Sequence, residues 1–112
     1  ICSCLYNIIP SFHYMIALTG DKEIKVAKYA LFGSQKLSNN ILNAMKGSKS
    51  CLVSNHGQIA VGDSLSEAFE LAQEVELLCE YYYYCTLHKS PKIIGNKEME
   101  KVLNKIMHYK RN

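Results

Sequence analysis

The chain has 112 residues, a length that allows one domain able to bury about two thirds of the surface of its unfolded state. The hydrophobic fraction of 48% with 21% charged residues is ordinary for a soluble globular protein, and no apolar stretch approaches the ~20 residues that cross a bilayer. The net charge of +3 comes from single lysines scattered among acidic residues, so we expect neither nucleic acid nor membrane as a partner, while a small anionic ligand is compatible with it.

The first third of the chain reads as a series of short elements. A helix tail, a short helix and a short strand are predicted, in that order, for residues 1–8, 13–18 and 23–29. Pro10 interrupts the chain after the first element, and Gly20 marks a turn before the strand. Within the strand, Ile24 and Val26 share one face.

A helix is predicted next. Ser34 has the position of its N-cap, and Gly47 has the position of a C-terminal glycine. Apolar residues recur between them at three- and four-residue spacing, at Leu37, Ile41, Ala44 and Met45.

A histidine then stands at the turn of a predicted hairpin. The apolar runs 51–54 and 58–62 predict two short strands, and Asn55-His56-Gly57 joins them. Gly57 tolerates the positive φ that such a turn often needs. The imidazole of His56 is therefore held on a rigid support, where it could ligate a metal or simply hydrogen-bond its neighbours.

Two helices are predicted for the rest of the chain. Ser64 and Glu67 have the spacing of a capping box before the longest helix, about residues 65–88. The apolar seam of this helix consists of Ala68, Ala72, Val75, Cys79 and Tyr82. The tyrosines of the run 81–84 surround nearly a whole turn, so at least one should face away from the core, toward another subunit or solvent. The last helix, from about Lys97, is expected to bury Met99, Val102, Leu103, Ile106 and Met107.

The cysteines do not form a recognisable site. There are five, an odd number without the paired spacing of a zinc ribbon or a redox motif: Cys2, Cys4, Cys51, Cys79 and Cys85. We expect reduced thiols in a cytoplasmic protein. Cys51 and Cys79 fall on predicted apolar faces, where a cysteine acts as a small hydrophobic residue.

Four segments together resemble a known family. They are Ile9–Ala17, Tyr29–Ser38, Ser54–Ala60 and Ala68–Glu76, with the sequences IPSFHYMIA, YALFGSQKLS, SNHGQIA and AFELAQEVE. In this order and at these intervals they are similar to the zinc-dependent class II aldolase/adducin family, and within it most closely to the L-fuculose-1-phosphate aldolases. The resemblance covers essentially the whole chain.

The resemblance implies a fold and a metal. The fold would be α/β, three layers α/β/α around a mainly antiparallel sheet, with residues 1–112 as the C-terminal part of a single domain. Zinc in this family is bound by three histidines and chelates the enediolate of dihydroxyacetone phosphate; His56 matches the third histidine. A His-x-His pair, the glutamate general base and the phosphate-binding groups would precede Ile1, so we expect the complete protein to extend upstream.

The resemblance also implies roles for three further residues. Tyr14 matches a tyrosine that transfers a proton near the aldehyde end of the substrate, and Phe32 matches an apolar wall of the pocket. Tyr109 is similar to a tyrosine with a role in stereochemical control, although residues 107–110 depart from the family's Lys-Thr-Tyr-Gly ending. The alternative is that Tyr109, three residues after Ile106 and seven after Val102, simply packs on the same helical face.

The remaining histidines need no catalytic role. His13 is adjacent to Tyr14, and neighbouring side chains point apart in both helices and strands, so we expect His13 to be structural. His88 and His108 lie at predicted helix ends, where an imidazole favours the negative end of the helix dipole.

The implied activity is cleavage of a phosphorylated sugar into dihydroxyacetone phosphate and an aldehyde, by a cytoplasmic homo-oligomer that is a tetramer in the family. A non-catalytic module of the adducin type and a pentose-phosphate 4-epimerase are alternatives. His56 favours the aldolase, whereas the missing ligands favour a non-catalytic module for these 112 residues alone. We expect the isolated chain to be inactive and marginally stable, because the absent strands would leave a sheet edge uncovered.

Overall fold

The computed structural model describes the backbone of residues 1–111 and the side chains of residues 1–109. This part of the chain contains α1 (Cys2–Leu5), β1 (Ile8–Ile9), a 3-10 helix (Tyr14–Thr19), β2 (Ile24–Ala27), α2 (Gln35–Ala44), β3 (Ser50–Val53), β4 (Gly57–Ala60), α3 (Leu65–His88) and α4 (Asn96–Arg111). The predicted elements are present close to their predicted places, except that the first helix ends at Leu5 rather than at residue 8 and the strand β1 was not predicted. None of the described helices is both long and apolar enough to cross a membrane.

The four strands form one sheet in the order β1-β2-β3-β4. β1 pairs antiparallel with β2, β2 pairs parallel with β3, and β3 pairs antiparallel with β4. The parallel pair requires a crossover, which α2 provides. Helices cover both faces of this sheet, so the predicted α/β class with a mainly antiparallel sheet is confirmed.

Alternation along β3 divides the core into two clusters. Leu52 faces α3 and α4, whereas Cys51 and Val53 face α2. The larger cluster comprises Cys2, Ile9, Ile16, Ala17, Ile24, Leu52, Val75, Leu78, Cys79 and Met99. The smaller cluster comprises Ala27, Ala44, Cys51 and Val53. The larger cluster therefore joins the first residues of the chain to its last helices. The smaller cluster is formed within a short stretch of sequence, from Ala27 to Val53.

The N-terminal segment is tied to the C-terminal part of the chain by hydrogen bonds. The Cys2 thiol donates to the carbonyl of Cys79 at 3.2 Å. The Ser11 hydroxyl donates to the carbonyl of Ile94 at 2.7 Å. Each bond joins residues about eighty positions apart in sequence, 77 and 83 respectively, so α3 and the segment before α4 hold residues 1–11 in place.

Side chains cap the two helices where the sequence predicted caps. Ser34 Oγ accepts a hydrogen bond from the Leu37 N–H at 3.1 Å, at the start of α2. Ser64 Oγ accepts from the Glu67 N–H at 3.1 Å, at the start of α3. The Glu67 carboxylate accepts from the Asp63 N–H rather than from the N-cap residue, so the capping box closes one residue early.

The apolar stripe of α4 is narrower than predicted. Met99 is fully buried, and Val102, Leu103 and Ile106 pack against the larger cluster. Met107 is 53% exposed, so its predicted burial is wrong. The contact of α4 with the core follows the line from Met99 to Ile106, and Met107 lies at the edge of this line.

The tyrosine run of α3 divides between core and surface, as the sequence predicted. Tyr82 and Tyr83 pack against the larger cluster. Tyr81 is 44% exposed and Tyr84 is 54% exposed. The helix thus presents phenol rings on two sides.

Candidate active site

The turn between β3 and β4 holds His56 through backbone contacts. Asn55 is in the left-handed region with φ 63°, and Gly57 has φ 153°. The sequence indicated positive φ only at Gly57; asparagine also tolerates it because its short polar side chain bonds locally. Here the Ser54 hydroxyl donates to Asn55 Oδ1 at 3.0 Å, and the Asn55 N–H donates to the Ser3 carbonyl at 3.0 Å. The turn is therefore fixed to α1.

The imidazole of His56 is exposed but held on two sides. Nε2 lies 3.2 Å from the carbonyl oxygen of Ala30. A carbonyl can only accept, so Nε2 carries the proton and Nδ1 keeps the lone pair that a metal would need. The ring of Tyr29 stacks on the imidazole, with centroids 5.6 Å apart and an angle of 26° between the planes.

Tyr29 and Ala30 were not among the predicted site residues. The available signal was their place in the segment Tyr29–Ser38, which also contains Phe32. Phe32 is 78% exposed in the loop between β2 and α2. Because the same loop supplies the contacts to His56, the structure brings the predicted residues His56 and Phe32 into one region.

Tyr14 lies in different surroundings. It is the first residue of the 3-10 helix, which packs against α3 and α4, and it is 53% exposed. Its ring stacks on that of His13, with centroids 5.2 Å apart and planes at 20°. The ring contacts of the two predicted residues have no partner in common: Tyr14 stacks on His13, whereas His56 stacks on Tyr29 and hydrogen-bonds Ala30.

The expectation that His13 points away from Tyr14 is wrong. His13 has extended backbone angles, φ −147° and ψ 139°, whereas Tyr14 begins the 3-10 helix. The alternation of a strand and the period of a helix each assume a uniform backbone, and neither applies at a junction between the two.

Tyr109 lies on α4 and is 83% exposed. The alternative that it packs on the same helical face as Ile106 is therefore wrong. Ile106 points into the larger cluster, and Tyr109 falls outside the stripe that α4 buries.

A zinc site needs three or four ligands, and the described residues supply one candidate. No group of three or more His, Cys, Asp or Glu side chains within residues 1–109 is arranged to hold a metal. His56 fits a single ligand position, since its Nδ1 is free to coordinate while Nε2 is anchored. The donor set of this part of the chain alone does not fit a complete zinc centre.

Two cysteines are buried as predicted, and burial changes their chemistry. Desolvation raises the pKa of Cys51 to about 11 and that of Cys79 to about 12. Since only the thiolate reacts with alkylating agents, both should remain protonated and unreactive at pH 8. Exposed Cys4 should react first with iodoacetamide, and Cys51 and Cys79 only after denaturant is added, as read by peptide mass spectrometry. Equal labelling of Cys4 and Cys51 in the native protein would contradict the buried placement.

Comparison with known proteins identifies the family of this chain. Residues 1–83 match the family model described as the class II aldolase and adducin N-terminal domain. The chain belongs to the class II aldolase and adducin family.

The relatives are enzymes about twice as long. The chain is 46% identical over 107 residues to a 5-methylthioribulose-1-phosphate/5-deoxyribulose-1-phosphate aldolase of Rhodospirillum rubrum, covering 96% of this chain and 48% of the relative. It is 38% identical over 108 residues to the L-fuculose phosphate aldolase of Escherichia coli strain K12, covering 96% and 50%. The chain thus spans about half the length of the curated relatives it matches.

A solved structure shares the fold. An L-fuculose 1-phosphate aldolase superimposes with a TM-score of 0.89 at 35% identity, covering 95% of this chain and 50% of that structure. A putative aldolase/epimerase/decarboxylase from Escherichia coli superimposes with a TM-score of 0.71 at 18% identity, which supports the fold alone.

Proposed function

We propose that the complete protein containing these residues is a zinc-dependent aldolase that cleaves a 1-phosphorylated ketose into dihydroxyacetone phosphate and an aldehyde. Residues 1–112 would form the C-terminal part of its single catalytic domain. The observation that carries the proposal is the presentation of His56 at a rigid turn, with one ring nitrogen anchored to Ala30 and the other available. The sequence relatives are aldolases by name, which supports the reaction class.

Zinc, when bound, would supply a positive charge that stabilises the negative charge developing beside the substrate carbonyl. His56 would contribute one ligand, and the rest of the domain would contribute the others. The Ala30 carbonyl would fix the ring tautomer and orientation, and Tyr29 would limit rotation of the imidazole. These contacts lower the entropy that His56 loses when it binds a metal.

Tyr14 and Phe32 would act on the aldehyde half of the substrate. When the carbon–carbon bond breaks, the hydroxyl on the carbon that becomes the aldehyde loses its proton, and the triose phosphate carbon gains one. The reaction therefore balances without a co-reactant. The Tyr14 phenol is suited to exchange this proton because its O–H group can both donate and accept a hydrogen bond, and its exposed position allows contact with a substrate. Phe32 would supply an apolar wall. We propose for Tyr109 the stereochemical role that the resemblance implies, because its ring is free of the core.

The substrate is proposed from the relatives. The identity of 46% to the Rhodospirillum rubrum enzyme exceeds the 38% to the Escherichia coli enzyme. This favours 5-methylthioribulose 1-phosphate or 5-deoxyribulose 1-phosphate over L-fuculose 1-phosphate. An apolar end of the substrate would suit the exposed ring of Phe32.

A hybrid enzyme can test the activity. It consists of the Rhodospirillum rubrum relative with its aligned half replaced by residues 1–112 of this chain. With 5-deoxyribulose 1-phosphate it should release dihydroxyacetone phosphate, measured through glycerol-3-phosphate dehydrogenase and NADH. We expect a kcat/KM for this substrate at least about tenfold above that for L-fuculose 1-phosphate, a difference of about 1.4 kcal/mol in transition-state binding.

Other outcomes would select the alternatives. A folded, zinc-loaded hybrid that interconverts pentose 5-phosphates without cleavage would indicate an epimerase. A folded hybrid that binds no zinc and cleaves neither substrate would indicate a non-catalytic module. The parent Rhodospirillum rubrum enzyme, assayed in parallel, shows that the other half is competent.

A further inference from the structure

We propose that His13 is a positioning residue that holds the Tyr14 ring in the orientation needed for proton transfer. The proposal rests on the role given to Tyr14 in the proposed function and adds a residue that acts through it. Two independent contacts carry it: a backbone cap made by the His13 ring and a face-to-face contact with the phenol.

The first contact fixes the start of the 3-10 helix. His13 Nδ1 accepts a hydrogen bond from the Met15 N–H at 3.1 Å, and His13 is the N-cap of the helix. The first N–H groups of a helix have no partner within it, so this bond replaces a missing one. It also requires Nδ1 to be unprotonated, so the neutral ring carries its proton on Nε2. Tyr14 lies between the two bonded residues, and its backbone is thereby fixed.

The second contact fixes the Tyr14 side chain. The two rings are nearly parallel, at 20°, with centroids 5.2 Å apart. The His13 ring is itself supported by Tyr81 of α3, with centroids 6.3 Å apart, and by Phe12 at 6.0 Å. A phenol that is 53% exposed would otherwise sample several rotamers. Stacking on a supported ring favours the rotamer that keeps this contact.

This arrangement has a functional reason. Proton transfer requires the phenol oxygen at hydrogen-bond distance from the reacting oxygen, and a misplacement of about 1 Å can lower the rate about a hundredfold. No hydrogen bond from the Tyr14 hydroxyl is recorded among the described residues, so its position depends on the ring. The His13 imidazole supplies both the backbone and the side-chain constraint.

Two substitutions separate the two contacts. His13→Asn keeps an acceptor suited to an N-cap and removes the stacked ring. His13→Phe keeps an aromatic ring and removes the acceptor. In the hybrid enzyme, we expect His13→Asn to retain the thermal midpoint of the unsubstituted hybrid. Its kcat should fall about 10–100-fold with little change in KM. We expect His13→Phe to lower the thermal midpoint by several degrees while kcat stays within about fivefold.

If His13 had a purely structural role, kcat would fall most in the variant whose thermal midpoint falls most. If kcat follows the thermal midpoint across the two variants, or if His13→Asn retains full kcat, the positioning role is overturned. Tyr14→Phe in the same hybrid separates this failure from failure of the proposed function. If Tyr14→Phe leaves kcat unchanged, the assignment of Tyr14 is wrong, whatever the His13 variants do.

A second measurement reads the ring position without activity. Tyrosines are replaced by 3-fluorotyrosine, and the resonance of residue 14 is assigned by its loss in Tyr14→Phe. In the 19F spectra of the unsubstituted hybrid and of His13→Phe, we expect the chemical shift of this resonance to differ from that of a solvent-exposed tyrosine. It should move toward the exposed value in His13→Asn. An unchanged resonance in His13→Asn would show that the stack does not hold the phenol.

Discussion

His56→Ala in the hybrid enzyme is expected to remove bound zinc and to lower kcat/KM about a thousandfold or more. In the proposed zinc site, loss of the His56 ligand would leave a position to water, and a Lewis acid contributes several kcal/mol to transition-state stabilisation. A thousandfold corresponds to about 4 kcal/mol. Zinc content is measured by inductively coupled plasma mass spectrometry, and activity by release of dihydroxyacetone phosphate.

His88→Ala is the matched control. His88 is an exposed histidine in the last turn of α3, so its replacement should leave zinc content and turnover within about twofold. The 112-residue chain alone should hold well below one equivalent of zinc, since the described residues offer one candidate ligand. Near one equivalent of zinc in the His56→Ala hybrid would exclude His56 as a ligand.

Met99→Ala is expected to have the largest effect on stability. Met99 is fully buried and joins α4 to the larger core. Truncation of a buried methionine lowers the free energy of unfolding by about 2–5 kcal/mol, because it loses apolar contacts and leaves a cavity. We expect a lower urea midpoint by far-UV circular dichroism and earlier proteolysis of α4 in the hybrid enzyme.

Met107→Ala provides the comparison on the same helix. Met107 is 53% exposed, so its replacement should change the free energy of unfolding by no more than about 0.5 kcal/mol. Both variants are compared at one protein concentration, since association of subunits would shift the midpoint. Equal midpoints for the two variants would refute the placement of α4 on the core.

The local signals in the sequence were sufficient for the longer helices, whereas the α/β class was implied by the family resemblance. Ser34 and Ser64 mark helix starts because a side-chain oxygen at an N-cap bonds the next free N–H groups, and the structure contains both bonds. The span Leu65–His88 agrees with the predicted helix, whose start is marked by the Ser64 cap and whose apolar seam runs from Ala68 to Tyr82. The predicted burial of Met107 is wrong because the spacing of apolar residues identifies the buried face of a helix but not its width. That width depends on the neighbouring elements.

The site was harder to predict than the fold. The motif indicated His56, but the contacts that hold its ring come from Tyr29 and Ala30, in a loop that only the folded sheet brings close. The stack of His13 on Tyr14 was missed because it arises where extended backbone meets a helix. Side-chain direction at such a junction depends on individual dihedral angles, which periodicity does not contain.

The division of the core into a short-range and a long-range cluster has a kinetic consequence. Ala27, Ala44, Cys51 and Val53 can meet as soon as β3 pairs with β2, which requires closure of a modest loop. Cys2 reaches Cys79, and Ser11 reaches Ile94, only after most of the chain is available. During synthesis these two contacts therefore form only after α3 and the segment that follows it have left the ribosome, and at about 5–20 residues per second that delay is on the order of several seconds.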